Sequence, residues 1–328
     1  MTWSKFTNEN LKLFSKFKYN LDNENILLKY IKDERTNILN IIKNKMFKID
    51  IKIIDNFNEI SKYANSNFVD KKNLLKDMKN LNIIYRISWN NNFIILISEN
   101  KLDLTNRIKF IIYIIEYLKI KTNNNKIIKI YLILSNLKKK FPIDSKIMGV
   151  KNANSGYNDS REEIIFIWRK EEFEKVIFHE LMHCFNLDKR DEHVHDIIKT
   201  DGPHLYFEAL TDFKGIIYHL IFLSLMTRRR IKNLFEYELG FIRNQAMLLN
   251  KLWDLGNWTR TPKILIEQKT AAFSYYILKY LMFEYFLNNK FDETLEYNII
   301  LDKILKEGFI MKELIEIDSS RMTLLQLE

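Results

Sequence analysis

His179, Glu180 and His183 are the residues of this chain whose types and spacing most clearly point to chemistry. On an α-helix a spacing of four residues advances about 400°, so both imidazoles leave one face and can reach a single metal ion. Glu180 points to a neighbouring face, from which its carboxylate can hold a water already bound to that metal. Residues of these types in the order H-E-x-x-H suit metal-assisted hydrolysis. The pattern also arises by accident on ordinary helices, so its surroundings decide what it means.

A catalytic zinc takes three protein ligands and leaves a fourth position for water. Glu208, 25 residues after His183, is the best candidate for the third ligand. Asp212 follows it at i+4 and projects from the same helix face. That pair suits one carboxylate on the metal and a second gripping the free ring nitrogen of a ligating histidine. His204 lies one turn before Glu208 and is a rival ligand or an oxyanion donor, or else a solvated histidine at a helix start. His193 and His195 fall in a polar loop and read as exposed, with a lesser claim on metal. His219 lies about 16 Å beyond Glu208 along a helix axis and reads as a packed core histidine. Tyr206, Arg260, Tyr275 and Tyr276 could polarise a substrate carbonyl, and nothing in the sequence ranks them. Cys184 adjoins a ligand but points about 100° away from His183, which reads as a buried thiol.

H-E-x-x-H followed on a later helix by E-x-x-x-D resembles the gluzincins, the thermolysin-like zinc metallopeptidases, from Phe178 to Asp212. The resemblance implies that His179, His183 and Glu208 bind one zinc ion, that Glu180 is the general base, and that Asp212 orients His179. It implies an α+β, zincin-like fold: a small mixed sheet with backing and active-site helices in an upper lobe, and a mainly helical lower lobe across a cleft. A peptide or protein would be the substrate, cleaved by a zinc-bound water that Glu180 activates. Arg169 to Phe173, continuing into the motif, is also similar to uncharacterised metallopeptidases of large DNA viruses. That similarity implies the cytoplasm of an infected cell, or a virion. The longer metzincin signature would need glycine at 186 and a ligand at 189, where this chain has Asn186 and Lys189. Phe207 stands where gluzincins often carry asparagine. A reading of another class is a zincin-fold binding or scaffold protein with little or no turnover; the intact Glu180 favours the enzyme.

Several elements must position these residues. Apolar positions such as Ile38, Leu39, Ile42 and Met46 give residues 1–80 a helical reading without candidate chemistry. β-Branched runs at 83–89 and 93–97 around Asn90-Asn91-Asn92 predict a hairpin. A helix over 105–118 and a strand over 126–134 follow. Residues 149–160 read as a polar loop. A strand over 164–168 leads into the motif helix, and its position suggests a sheet edge on which an extended peptide could pair. Lys170-Glu171-Glu172 reads as that helix's acidic first turn. Asp201-Gly202-Pro203 predicts the start of a long helix reaching about Arg230, and the remainder reads as mostly helical. The divisions are a helical region 1–80, a strand-containing lobe 81–187 and a helical lobe 188–328.

Composition sets the outer bounds. With 47% hydrophobic and 13% aromatic residues the 328-residue chain suits a folded globule, and only 7 Gly and 3 Pro disfavour a loop-rich all-β fold. The single cysteine excludes an intramolecular disulfide and fits a reducing, intracellular setting. The N-terminal residues lack the apolar core of a signal peptide. The most apolar stretch, 216–226, is too short to span a bilayer and contains His219, so the expectation is a soluble protein. The net charge of +10 is spread along the chain, with runs only at 138–140 and 228–230, which reads as a solvated basic surface rather than a nucleic-acid site.

Overall fold

The computed structural model describes residues 2–17, 19, 21–55, 60–103, 105–188, 200–201, 205–258, 266–289 and 297–328. The chain opens with α1 (Lys5–Phe14), α2 (Ile26–Asn44), β1 (Asp50–Ile54), α3 (Ile60–Tyr63) and α4 (Lys71–Asp77). Next come β2 (Ile83–Trp89), β3 (Asn92–Ser98), α5 (Thr105–Thr122), β4 (Lys129–Ile133), α6 (Val150–Ala153), β5 (Gly156–Asp159) and β6 (Ile164–Ile167). The second half holds α7 (Phe173–Cys184), β7 (Thr200–Asp201), α8 (Phe207–Thr227), α9 (Ile231–Leu252), β8 (Ile266–Glu267), a π-helical turn (Ser274–Leu278), α10 (Lys279–Asn288) and α11 (Tyr297–Glu307).

Six strands form one mixed sheet in the order β1-β2-β3-β4-β6-β5. β1, β2 and β3 pair antiparallel, β3, β4 and β6 run parallel, and β5 returns antiparallel to β6. The predicted hairpin is present, with Asn90 supplying the left-handed backbone its tight turn needs, at φ 47°. Side chains alternate across the sheet as strand geometry requires. Ile94, Leu96, Ile130, Leu132, Ile165 and Ile167 face the main core with α5 and α7. Ile95, Ile97, Tyr131, Ile133, Phe166 and Trp168 face a smaller core closed by Tyr63, Val69 and Leu74. The fold is therefore α+β, with a mixed sheet.

Four expectations change. Region 1–80 is not wholly helical, because β1 joins the sheet beside β2. β6 is not an edge: β4 and β5 flank it, and the true edge is β5, drawn from the segment expected to be a loop. The motif helix begins at Phe173, so Glu171 and Glu172 precede it rather than filling its first turn. The remainder is also less helical than expected. After α11 the chain has no helix, yet Ser319–Leu327 is buried throughout, packed into the interior.

The apolar stretch around residues 216–226 belongs to α8, which is 21 residues long and begins at Phe207. It is the one helix among the described residues long and apolar enough to cross a membrane, and 94% of an apolar 18-residue length of it is buried inside the protein. It serves here as the central core helix.

Candidate metal centre

α7 and α8 lie against each other, and Gly215 on α8 makes the approach possible. A Cβ at Gly215 would stand 3.1 Å from the Cα of His179 and 3.2 Å from its backbone nitrogen. The glycine lets α7 settle onto α8, so that Asp212 and Glu208, about one and two turns earlier on α8, face the motif. His179 Nε2 and His183 Nε2 then lie 3.2 Å and 3.4 Å from the same oxygen, Glu208 Oε2. That oxygen is buried and has no hydrogen-bond partner of acceptable geometry. His179, Glu180 and His183 form a buried group whose ligand atoms all lie within 4.8 Å of one another, a group able to hold a metal ion.

The opposite ring nitrogens are both engaged. His179 Nδ1 lies 2.9 Å from Asp212 Oδ1, and His183 Nδ1 lies 2.5 Å from Asp188 Oδ2. A carboxylate at each Nδ1 orients its ring so that Nε2 faces the shared oxygen, where a bound cation would meet both Nε2 lone pairs. Asp188 was not anticipated from the sequence. It arrives through a helix end in which Asn186 adopts a left-handed conformation (φ 53°) and the Leu187 N–H donates to Met182 O at 2.9 Å. This is how a helix is turned back on itself at its C-terminus, and an Asn just past the motif was the available signal.

The electrostatics follow from burial and crowding. Burial raises Glu180 above the usual glutamate range, although His179 and His183 oppose it. Glu208 moves the other way: burial resists its charge, but His183 foremost, then His179, hold it well below that range. Asp212 is buried too, yet Lys175, Lys279 and His179 hold it far down. Lys175 pairs with Oδ1, and Lys279 lies 2.6 Å from Oδ2. Asp212 thus serves one histidine and two buried ammonium groups. Lys279 also donates to Met322 O in the buried C-terminal segment, at 3.3 Å.

The same segment meets the residues just before α7. Glu172 accepts the N–H groups of Met322 and Thr323, each at 2.6 Å, and pairs with Lys139 at 2.8 Å. Glu171 accepts the Lys139 N–H at 2.7 Å. These acids pin the entry to α7 from outside the helix.

The other sequence-selected residues divide clearly. The Tyr275 ring lies 5.8 Å from the His179 ring on the π-helical turn, a distortion often met at functional sites, and burial first, then the Glu208 charge, push its hydroxyl well above the usual tyrosine value. Tyr276 points elsewhere, its hydroxyl donating to Ser320 O at 2.6 Å, so it does not join the cluster. Tyr206 is buried at the start of α8, where its carbonyl accepts the Ala209 N–H at 3.0 Å. His204, Arg260, His193 and His195 lie outside the described residues. His219 is the expected core histidine, pushed down to about 3 by burial and next by the Lys175 charge. Cys184 is half-buried rather than fully buried.

Edge strand β5 passes close by. A Cβ at Gly156 would stand 2.7 Å from Val176 Cγ1 and 3.0 Å from Glu180 Oε1. A side chain at this position would press directly on the Glu180 carboxylate.

Searches of protein families, curated proteins and solved structures find nothing that matches this chain.

Proposed function

We propose that this protein is a zinc-dependent peptidase with a gluzincin-like site. One observation carries the reading: two imidazole Nε2 atoms and one carboxylate oxygen converge, while each imidazole Nδ1 is held from behind by its own carboxylate. Ligands about 2.0–2.1 Å from a tetrahedral zinc stand roughly 3.3–3.4 Å apart, close to both separations from Glu208 Oε2. The donor set of two histidines and one carboxylate belongs to catalytic rather than structural zinc, which favours more thiolates.

His179, His183 and Glu208 would hold the ion, which when bound supplies a Lewis acid and an acidified water. Glu180 would take the proton of the attacking water on its carboxylate and pass it to the leaving amine. Burial raises its pKa, which makes the carboxylate a stronger base for that step. Tyr275, whose ring lies 5.8 Å from the His179 ring, is a candidate donor to the oxygen on which negative charge would develop. An extended peptide would pair along β5, whose edge lies over Glu180 at Gly156.

Metal analysis of the purified protein by mass spectrometry tests this reading. Near-stoichiometric zinc is expected, lost in both His183→Ala and Glu208→Ala. Glu180→Gln should keep its zinc while cleavage of a peptide library falls about 10²–10⁴-fold. A protein that takes up no zinc on reconstitution would end the reading. Equal cleavage by Glu180→Gln and wild type would leave a metal-binding protein that is not this enzyme.

A further inference from the structure

At the far end of α8, about 30 Å along the helix axis from Glu208, a second feature stands apart from the metal centre. A cavity of about 650 Å³ opens between α2, the end of α8 and the start of α9. Lys32, Arg35, Arg228, Arg229, Arg230 and Lys232 line it. Its one acidic lining residue, Glu236, is buried and already engaged, accepting the Leu21 N–H at 3.1 Å with Lys232 Nζ 3.8 Å away.

Several parts of this cavity are held in place. Buried Ser224 accepts a hydrogen bond from Arg35 Nε at 2.9 Å and donates to Arg229 O at 2.9 Å, tying α2 to the α8–α9 corner. The Arg229 guanidinium stacks over Trp3, 5.0 Å from the ring centroid. Arg228 takes a left-handed conformation at φ 58°, which reverses the chain there.

Ordinary helix electrostatics do not account for so much like charge. Cations are favourable at the end of α8, but the next residues begin α9, where a helix dipole disfavours them. The first turn of α9 contains no acid and its N-cap, Arg230, makes no side-chain hydrogen bond. Six cations around one concavity repel one another, and a bound anion would relieve that repulsion.

We propose that this cavity binds a compact polyanion bearing several phosphate groups. Guanidinium groups match phosphate oxygens in pairs, and the start of α9 adds outward-facing N–H groups. The cavity's size lies within the range of small-ligand sites. An open concavity bounded by α2, α8 and α9 is a local site that suits a compact ligand, whereas a long strand needs an extended track.

The test is titration of the whole protein with inositol hexakisphosphate, chosen as a dense phosphate probe, at about 0.15 M salt. Saturable one-to-one binding is expected, weakened at least about tenfold in R228E/R230E and unchanged in the remote pair K138E/K140E. Lys32→Glu on α2 should weaken it too, and it replaces the double variant should that variant lose its fold by circular dichroism. Absence of saturable binding, or equal loss in the remote pair, would overturn the proposal in favour of diffuse surface charge. Binding of a short single-stranded RNA that excess hexakisphosphate fails to displace would overturn it in favour of a nucleic-acid surface.

Discussion

Asp188 Oδ2 lies 2.5 Å from His183 Nδ1, giving the second motif histidine the same support that Asp212 gives the first. The two carboxylates come from different places: Asp212 from α8, Asp188 from the turn that ends α7. Both histidines are therefore oriented from behind, by residues that do not touch the convergence point.

Asp188→Ala should weaken zinc binding about 10–100-fold, the usual cost of removing a ligand's hydrogen-bond partner. Competition with a chelating dye would measure it. Unchanged affinity would mean that the α7 backbone alone fixes the His183 ring.

Asp212→Ala should cost far more than metal affinity. It strands Lys175 and Lys279, both buried, without their carboxylate. Breaking a buried ion pair from one side typically costs about 3–5 kcal/mol. Urea unfolding should register that loss even in metal-free protein, and more strongly than for Asp188→Ala, which takes its carboxylate from one buried histidine rather than from a histidine and two buried ammonium groups.

Gly215→Ala should separate α7 from α8 by a few tenths of an ångström at His179. With backbone atoms 3.1 and 3.2 Å from the new Cβ, no side-chain rotation relieves the contact. Overpacking of this kind costs about 1–3 kcal/mol, and zinc affinity should fall with it. A variant of normal stability and affinity would show that the helix pair yields more easily than its packing suggests.

Acid should loosen the α7 entry. Burial alone would raise Glu172, but Lys139, Arg321 and Lys175 together bring it down to about 2 from the usual 4.5. Lys139 is itself held below the ordinary lysine value, by burial first, with Glu172 the main offset. The charged Glu172 thus stabilises the fold fully above about pH 4.5, and that contribution drains away as pH falls towards 2. It should be worth on the order of 3 kcal/mol. Denaturant midpoints for wild type should drop steeply across that window, and those of Glu172→Gln should start lower and change less.

The helix-borne chemistry was readable because helical spacing is local. Four residues fix a face, so His179 with His183, and Glu208 with Asp212, could be paired from sequence alone. The meeting of those two faces depends on Gly215, whose role exists only once α8 lies beside α7. Edge strand β5 was hidden because Gly156-Tyr157-Asn158-Asp159 has a loop's composition, and β6 supplies the partner that makes it a strand. Asp188 depended on a left-handed Asn186, a one-residue event that periodicity does not register. The buried segment 319–327 lacks periodicity altogether: its N–H groups are satisfied in part by acids far away in the chain, among them Glu172 and, for Leu324 and Leu325, Glu238.

That segment also bears on the order of events during synthesis. Met322 reaches Glu172 across a sequence separation of 150 residues, and Lys279 and Lys175 close around Asp212 beside it. A nascent chain that has already made both histidines still lacks the strand of backbone that seats the start of their helix. The centre is thus assembled late, and a ribosome-bound fragment would carry the motif without its finished setting.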